Sequence, residues 1–336
     1  MIRIQLLEKW LNRVLEGRSY RYVPLAGDAS FRRYFRVFVE SSNGFNDQVS
    51  QQYVAMDAPP PENIHPFIEI AGLLSSLGLS VPRILHQEQD LGFLLLSDLG
   101  DRLYLHELNE GSAESLYRDA LSSLIRIQSC QATLPKFNRV FMWDQLQIFQ
   151  TWYLEKHLGL GIKEIENNLA QLKPLLSEVI QTIEGQPYVV IHRDYHSRNL
   201  MILDSANPGI IDFQDAMLGP VTYDLVSLFQ DCYISWDRAQ VQKWVLDFQM
   251  QARAAGILKS DISHEQFLQW FDWTGLHRHL KNLGIFTRLY HRDGKPGYLK
   301  DIPIPLKYIK ETCGRYPRLT PLWTFFENTL KVKVEV

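Results

Sequence analysis

Val189-Val190-Ile191-His192-Arg193-Asp194-Tyr195-His196-Ser197-Arg198-Asn199 is followed a little further on by Ile211-Asp212-Phe213. An apolar, β-branched run leads into His-x-Asp-x-x-x-x-Asn. Two short apolar runs, Leu200-Met201-Ile202-Leu203 and Gly209-Ile210-Ile211, then flank Asp204-Ser205-Ala206-Asn207-Pro208, a segment made of turn formers. The pattern predicts a strand, a loop and a hairpin, with Asn199 and Asp212 at the same end of that hairpin.

Taken singly, Asp194 and Asn199 read as turn residues and Asp212 as a solvated carboxylate at a strand end. Taken together they form a set suited to phosphoryl transfer, a reaction that asks a protein mainly for positioning and for neutralisation of charge on phosphate oxygens. Asp194 would accept the proton of an acceptor hydroxyl and aim its oxygen. Asn199 offers an amide oxygen to Mg²⁺ without adding charge, and Asp212 a hard anionic one. His192 follows a buried-looking strand and reads as a brace for the loop, as does His196. Asp224, in Gly219-Pro220-Val221-Thr222-Tyr223-Asp224-Leu225, precedes an apolar run that reads as a helix. It would either cap that helix or bond the loop backbone and keep Asp194 aimed.

On these motifs the sequence resembles the aminoglycoside phosphotransferase and choline kinase superfamily, with His-x-Asp-x-x-x-x-Asn and then Ile-Asp-Phe. It is similar, more closely, to bacterial anomeric kinases of N-acetylmuramate and N-acetylglucosamine. The closer likeness rests on Leu25-Ala26-Gly27-Asp28-Ala29-Ser30-Phe31-Arg32-Arg33-Tyr34, Met56-Asp57-Ala58-Pro59-Pro60, His192 to Leu200, Asp212-Phe213-Gln214-Asp215-Ala216 and Arg278 to Phe286. The resemblance implies an α+β, bilobal, protein-kinase-like fold with a small β-rich N-lobe and a larger, mostly helical C-lobe. It also implies MgATP as donor and an amino sugar as acceptor, phosphorylated at the anomeric hydroxyl to a sugar 1-phosphate in cell-wall sugar recycling.

Tyr53-Val54-Ala55-Met56-Asp57 occupies the place where a kinase strand ends in a phosphate-binding lysine, and here the last residue is Asp57. The closer family shares this reversal. Replacement cations are near in sequence: Arg32, Arg33 and Arg36 follow the loop Ala26 to Ser30, and Asp57 would orient one of them. The alternative places these arginines on a solvated strand face. Small residues at Gly27, Asp28, Ala29 and Ser30 leave backbone N–H groups for a phosphate. By the resemblance, the connector Leu94 to Gly100 would take the adenine through Ser97 and Leu99.

The remainder of the chain sets bounds. With 336 residues there is material for two lobes, read as 1–96 for nucleotide binding, 97–102 as hinge and 103–336 for catalysis and acceptor binding. A net charge of −3 argues against a nucleic acid or an anionic membrane as partner. Three scattered cysteines without zinc spacing suit a reduced, cytoplasmic protein, and no obligate protein partner is evident. Met1 to Gly17 reads as an amphipathic helix rather than a signal or membrane segment.

The stretch Thr274 to Lys300 is rich in Arg, Lys and His against the single acid Asp293. Arg278, His279 and Lys281 are candidates for the acceptor site, where their charge would attract the lactyl carboxylate of N-acetylmuramate and repel a polycationic aminoglycoside. At helical spacing the same cations would also suit a solvated face. An aminoglycoside or another amino alcohol is the second reading for the acceptor. A non-catalytic kinase-fold binding protein, suggested by the missing lysine, is the third.

Overall fold

A computed structural model describes residues 2–25, 31–40 and 49–334. They divide into two compact units that are not continuous in sequence: 1–107 with 199–215, and 108–198 with 216–336. The α+β division expected from the sequence is present, with the sheet in the N-terminal part and helices dominating the remainder.

The smaller unit is an antiparallel sheet of β1 (Tyr20–Pro24), β2 (Arg33–Glu40), β3 (Val49–Asp57), β4 (Ile84–Glu88) and β5 (Phe93–Ser97), ordered β1-β2-β3-β5-β4. Strand alternation points Phe35, Val37 and Val39 of β2 to one face. There they meet Leu7, Trp10 and Leu11 of α1 (Arg3–Val14), whose apolar residues recur at helical spacing. Helix α2 (His65–Ser76) buries Phe67, Ile70, Ala71 and Leu74. The same unit contains the short hairpin β7 (Leu200–Met201) and β8 (Gly209–Ile210), bridged to the rest at Ser80–Gly209 and Leu103–Met201.

The larger unit holds the two-stranded sheet of β6 (Tyr188–Ile191) and β9 (Met217–Pro220) among its helices. Before it come the short α3 (Tyr104–Glu107) of the smaller unit, then α4 (Ala113–Gln128), α5 (Arg139–Ile148) and α6 (Ile162–Glu184). After it come α7 (Tyr223–Phe229), α8 (Arg238–Ala254), α9 (His264–His291), α10 (Pro303–Arg315) and α11 (Thr320–Val334). Three of these helices start at side-chain caps: Asn138, Asp237 and Ser263 accept N–H bonds from Phe141, Ala239 and Gln266. Helix α9 runs through the core. It crosses the junction of α5 with a π-helical turn, Phe149–His157, at Gly284, where an added Cβ would lie 2.6 Å from the Ile148 and Phe149 backbone. Only glycine fits there.

Candidate active site

In the larger unit the loop after β6 is held from below by two buried carboxylates. Asp224, fully buried at the start of α7, accepts the N–H groups of His192 at 2.7 Å and Arg193 at 2.9 Å. Burial raises its pKa to about 7, against the pull of those two N–H bonds. Asp231, just beyond α7, accepts the Ser197 N–H at 3.0 Å, the Ser197 hydroxyl at 2.5 Å and the Tyr233 N–H at 3.1 Å. Between these anchors Arg193 has φ +78°, a left-handed conformation that a non-glycine residue adopts at some cost. The ring of His192 accepts the Asp194 N–H at 3.3 Å, and His196 is buried deeply enough to be held below the usual histidine range.

The strain and the two clamps present Asp194. Its side chain stays 39 % exposed, while the buried guanidinium of Arg278 donates to Oδ1 at 3.5 Å. Burial opposes ionisation only in part, and Lys281 and Arg278 bring the carboxyl well below the usual carboxylate range. Burial opposes the charge of Arg278, and the carboxylates of Asp194 and Asp231 help to hold it. Lys281 is half-buried one turn further along α9. His279, in contrast, lies fully in the core, stacked on Tyr308 with ring centroids 4.9 Å apart and 3.3 Å from Gln230 Oε1, and burial keeps it neutral.

In the smaller unit Asn199 and Asp212 come together at one end of the β7–β8 hairpin. Asn199 Nδ2 lies 3.3 Å from Asp212 Oδ2, and Gln214 Nε2 donates to Asp212 Oδ1 at 2.7 Å. Asp212 is also left-handed, at φ +62°. Gln214 Oε1 is buried and has no hydrogen-bond partner among the described residues. One carboxylate with two neutral amides is the oxygen donor set a magnesium ion accepts when phosphates and water complete its shell. The residues therefore fit the ion, with Gln214 an addition the sequence reading did not make. Its only signal was its place two residues after Asp212.

The reversed charge at Asp57 has a structural answer within the same unit. Its fully buried carboxylate receives Arg3 Nε at 2.6 Å and Arg33 Nε at 3.1 Å, with a further bond from Arg33 Nη2. Arg33 keeps 46 % of its side-chain surface exposed, whereas Arg32 pairs with Glu62 at 3.0 Å. Arg36 is spent elsewhere. It bonds both Asp98 oxygens at 2.6 and 3.2 Å, Asp101 at 2.5 Å and the Gly100 carbonyl at 2.9 Å, pinning the connector after β5. On that connector the Ser97 N–H already donates to the Arg83 carbonyl, and its hydroxyl accepts from the Arg83 N–H. Leu99 packs beside Gly209 of β8. Gly27, Asp28, Ala29 and Ser30 lie outside the described residues.

An ionised carboxylate beside cations, an amide–carboxylate pair whose chemistry fits magnesium and a kinase-like order of strands and helices point to the class. The chain belongs to the phosphotransferase enzyme family, which matches residues 21–259. Within it, the chain is 42% identical over 333 residues to the N-acetylmuramate/N-acetylglucosamine kinase of Pseudomonas aeruginosa, covering 95% of each protein. It is 37% identical to the protein of the same name from Neisseria meningitidis, covering 94% of this chain and 93% of that one. Among solved structures, ADP-bound aminoglycoside phosphotransferase APH(2'')-Ib superposes with a TM-score of 0.58 at 17% identity, over 91% of this chain and 98% of that one. Choline kinase from Streptococcus pneumoniae does so at 0.60 and 13%, with 91% and 98% covered. These last two likenesses concern the fold, which is the protein-kinase-like one expected. No helix among the described residues is long and apolar enough to cross a membrane.

Proposed function

We propose that the protein transfers the γ-phosphoryl group of ATP to the anomeric hydroxyl of N-acetylmuramate and N-acetylglucosamine, as a cytoplasmic enzyme of cell-wall sugar recycling. The observation that carries the reading is Asp194, aimed by a doubly clamped loop and kept ionised by Lys281 and Arg278. Ionised at every physiological pH, it is a weak base. It would therefore act chiefly by orienting the hydroxyl and receiving its proton late, which suits a loose transition state. An anomeric hydroxyl is more acidic than an ordinary alcohol, so a weak base suffices. Asn199, Asp212 and Gln214 would hold Mg²⁺, which neutralises phosphate charge when bound. Arg33, oriented by Asp57, is the exposed arginine suited to the phosphate contact that a lysine makes elsewhere. Arg32, residues 27–30 and the backbone at Ser97 and Leu99 remain candidates for the nucleotide. The Ser97 N–H is engaged with Arg83, so Leu99 is the better donor.

An aminoglycoside is a poor acceptor on this reading, because Arg278 and Lys281 beside Asp194 repel a polycation. A binding protein without activity would have no need of an ionised base and an oxygen donor set. Steady-state assays with Asp194→Ala test the role directly. Turnover should fall by about two to four orders of magnitude with MgATP affinity nearly unchanged, and turnover within threefold of wild type would remove Asp194 from the chemistry.

A further inference from the structure

Arg198 lies in the same loop as Asp194, and nothing in the chemistry described so far uses it. Its guanidinium carbon sits 3.5 Å from the centroid of the Tyr233 ring, so the plane of the fork is laid on an aromatic face. The pairing is fixed from beneath. The one buried carboxylate of Asp231 takes the N–H and hydroxyl of Ser197 and the N–H of Tyr233, tying the backbone next to the arginine and the ring under it to a single point. The ring is itself held in a row, with Phe286 of α9 at 6.5 Å and Tyr298 stacked on Phe286 at 5.9 Å and 23°.

Stacking occupies the face of the guanidinium and leaves its edge, where all five donors lie. No hydrogen bond or ion pair engages that edge among the described residues. Asp301 is close enough for Arg198 to oppose the burial that raises its pKa, yet forms no ion pair with it. A pre-oriented, half-buried arginine with an open edge is built to take a planar anion bidentately. Lys281 differs: it is a point charge on a flexible stem, and it is the largest cationic influence on Asp194 itself.

We propose that Arg198, seated on Tyr233, takes the lactyl carboxylate of N-acetylmuramate and so sets preference for the anionic over the neutral amino sugar. This rests on the acceptor assignment above. The lactyl ether is on C3, two ring carbons from the anomeric C1, so its carboxylate stands off from the reacting oxygen. A cation in the same loop as the base, but not on it, suits that offset. A nucleotide phosphate has the same charge and is the competing source of an anion.

The test is kcat/KM of wild type, Arg198→Gln, Arg198→Lys, Tyr233→Leu and Lys281→Met for both sugars, with KM for MgATP measured alongside. Removing a charge-assisted bond should lower the ratio of N-acetylmuramate to N-acetylglucosamine by about ten- to a hundredfold in Arg198→Gln. Arg198→Lys should recover part of the ratio, and Tyr233→Leu should lower it less than Arg198→Gln. Equal loss on both sugars with a raised KM for MgATP would assign the arginine to phosphate and overturn the proposal, as would a changed ratio in Lys281→Met alone. A wild-type enzyme active on both sugars with an unchanged ratio in Arg198→Gln refutes only this inference. A wild-type enzyme inactive on both refutes the acceptor assignment and this inference with it.

Discussion

Asp57 stands where a kinase-fold strand ordinarily ends in lysine, and its burial between Arg3 and Arg33 makes the exchange a change of partners rather than a loss. Restoring the lysine should therefore harm the protein. Asp57→Lys would leave three cations around a buried position and destabilise the fold by about 3–5 kcal/mol in chemical denaturation; unchanged stability would show that the carboxylate is not what holds the two arginines. Asp194, in turn, should contribute no acid limb to the kcat profile down to about pH 5, since neighbouring cations keep it ionised far below that point. The residues that sequence made readable were those at fixed spacing on one short segment, Asp194 and Asn199, and Asp212 at the end of the hairpin. Asp231 and Tyr233 were not readable, because their partners Ser197 and Arg198 lie on another segment and only tertiary packing brings a carboxylate at 231 to the backbone at 197. Gln214 bonds Asp212 two residues away, but an amide at that place is not distinguished in the sequence from any other polar residue.

At the scale of elements, α1 was legible because Leu7, Trp10 and Leu11 repeat at helical spacing, and the hairpin because turn formers separate two apolar runs. The π-helical turn after α5 was not. Its register changes where α9 passes closely at Gly284, and nothing in residues 149–157 alone announces it. Gly284→Ala should force the two helices apart and cost about 1–3 kcal/mol, measured by thermal or denaturant unfolding. Two turns earlier in α9, His277 donates through Nε2 to the Met142 carbonyl at 3.0 Å, and burial brings it down to about 4. The unfolded chain, titrating near 6.5, takes up this proton first, so stability is lost as pH falls from about 6.5 to 4. Replacing it by a neutral side chain, His277→Gln, should flatten the slope in that window by about 3 kcal/mol relative to wild type. Asp224, raised to about 7, acts in the opposite sense: its contribution is lost as pH rises from about 4 to 7. The comparison between variant and wild type isolates the histidine, and identical slopes would mean that His277 titrates normally in the fold.

Over the whole molecule, the chain passes from the larger unit to the smaller between Arg198 and Asn199 and returns between Asp215 and Ala216. The motif that reads as one stretch thus supplies Asp194 to one unit and Asn199 and Asp212 to the other. A linear reading shows the order of these residues but not which contacts claim them, because the short hairpin is bonded to Ser80 and Arg102, far away in sequence. Asp212→Ala should raise the Kd for MgATP at least about tenfold while leaving metal-free ATP binding little changed, and equal effects on both would remove the carboxylate from metal binding. The charge around Asp194 bears on the choice of acceptor. Phosphate transfer from MgATP to N-acetylmuramate, N-acetylglucosamine and kanamycin should be measured side by side, with the product tested for an acid-labile anomeric phosphate. Rapid formation of a sugar 1-phosphate is expected from the two amino sugars and none from kanamycin. Transfer to kanamycin alone, or to none of the three despite tight MgATP binding, would contradict it.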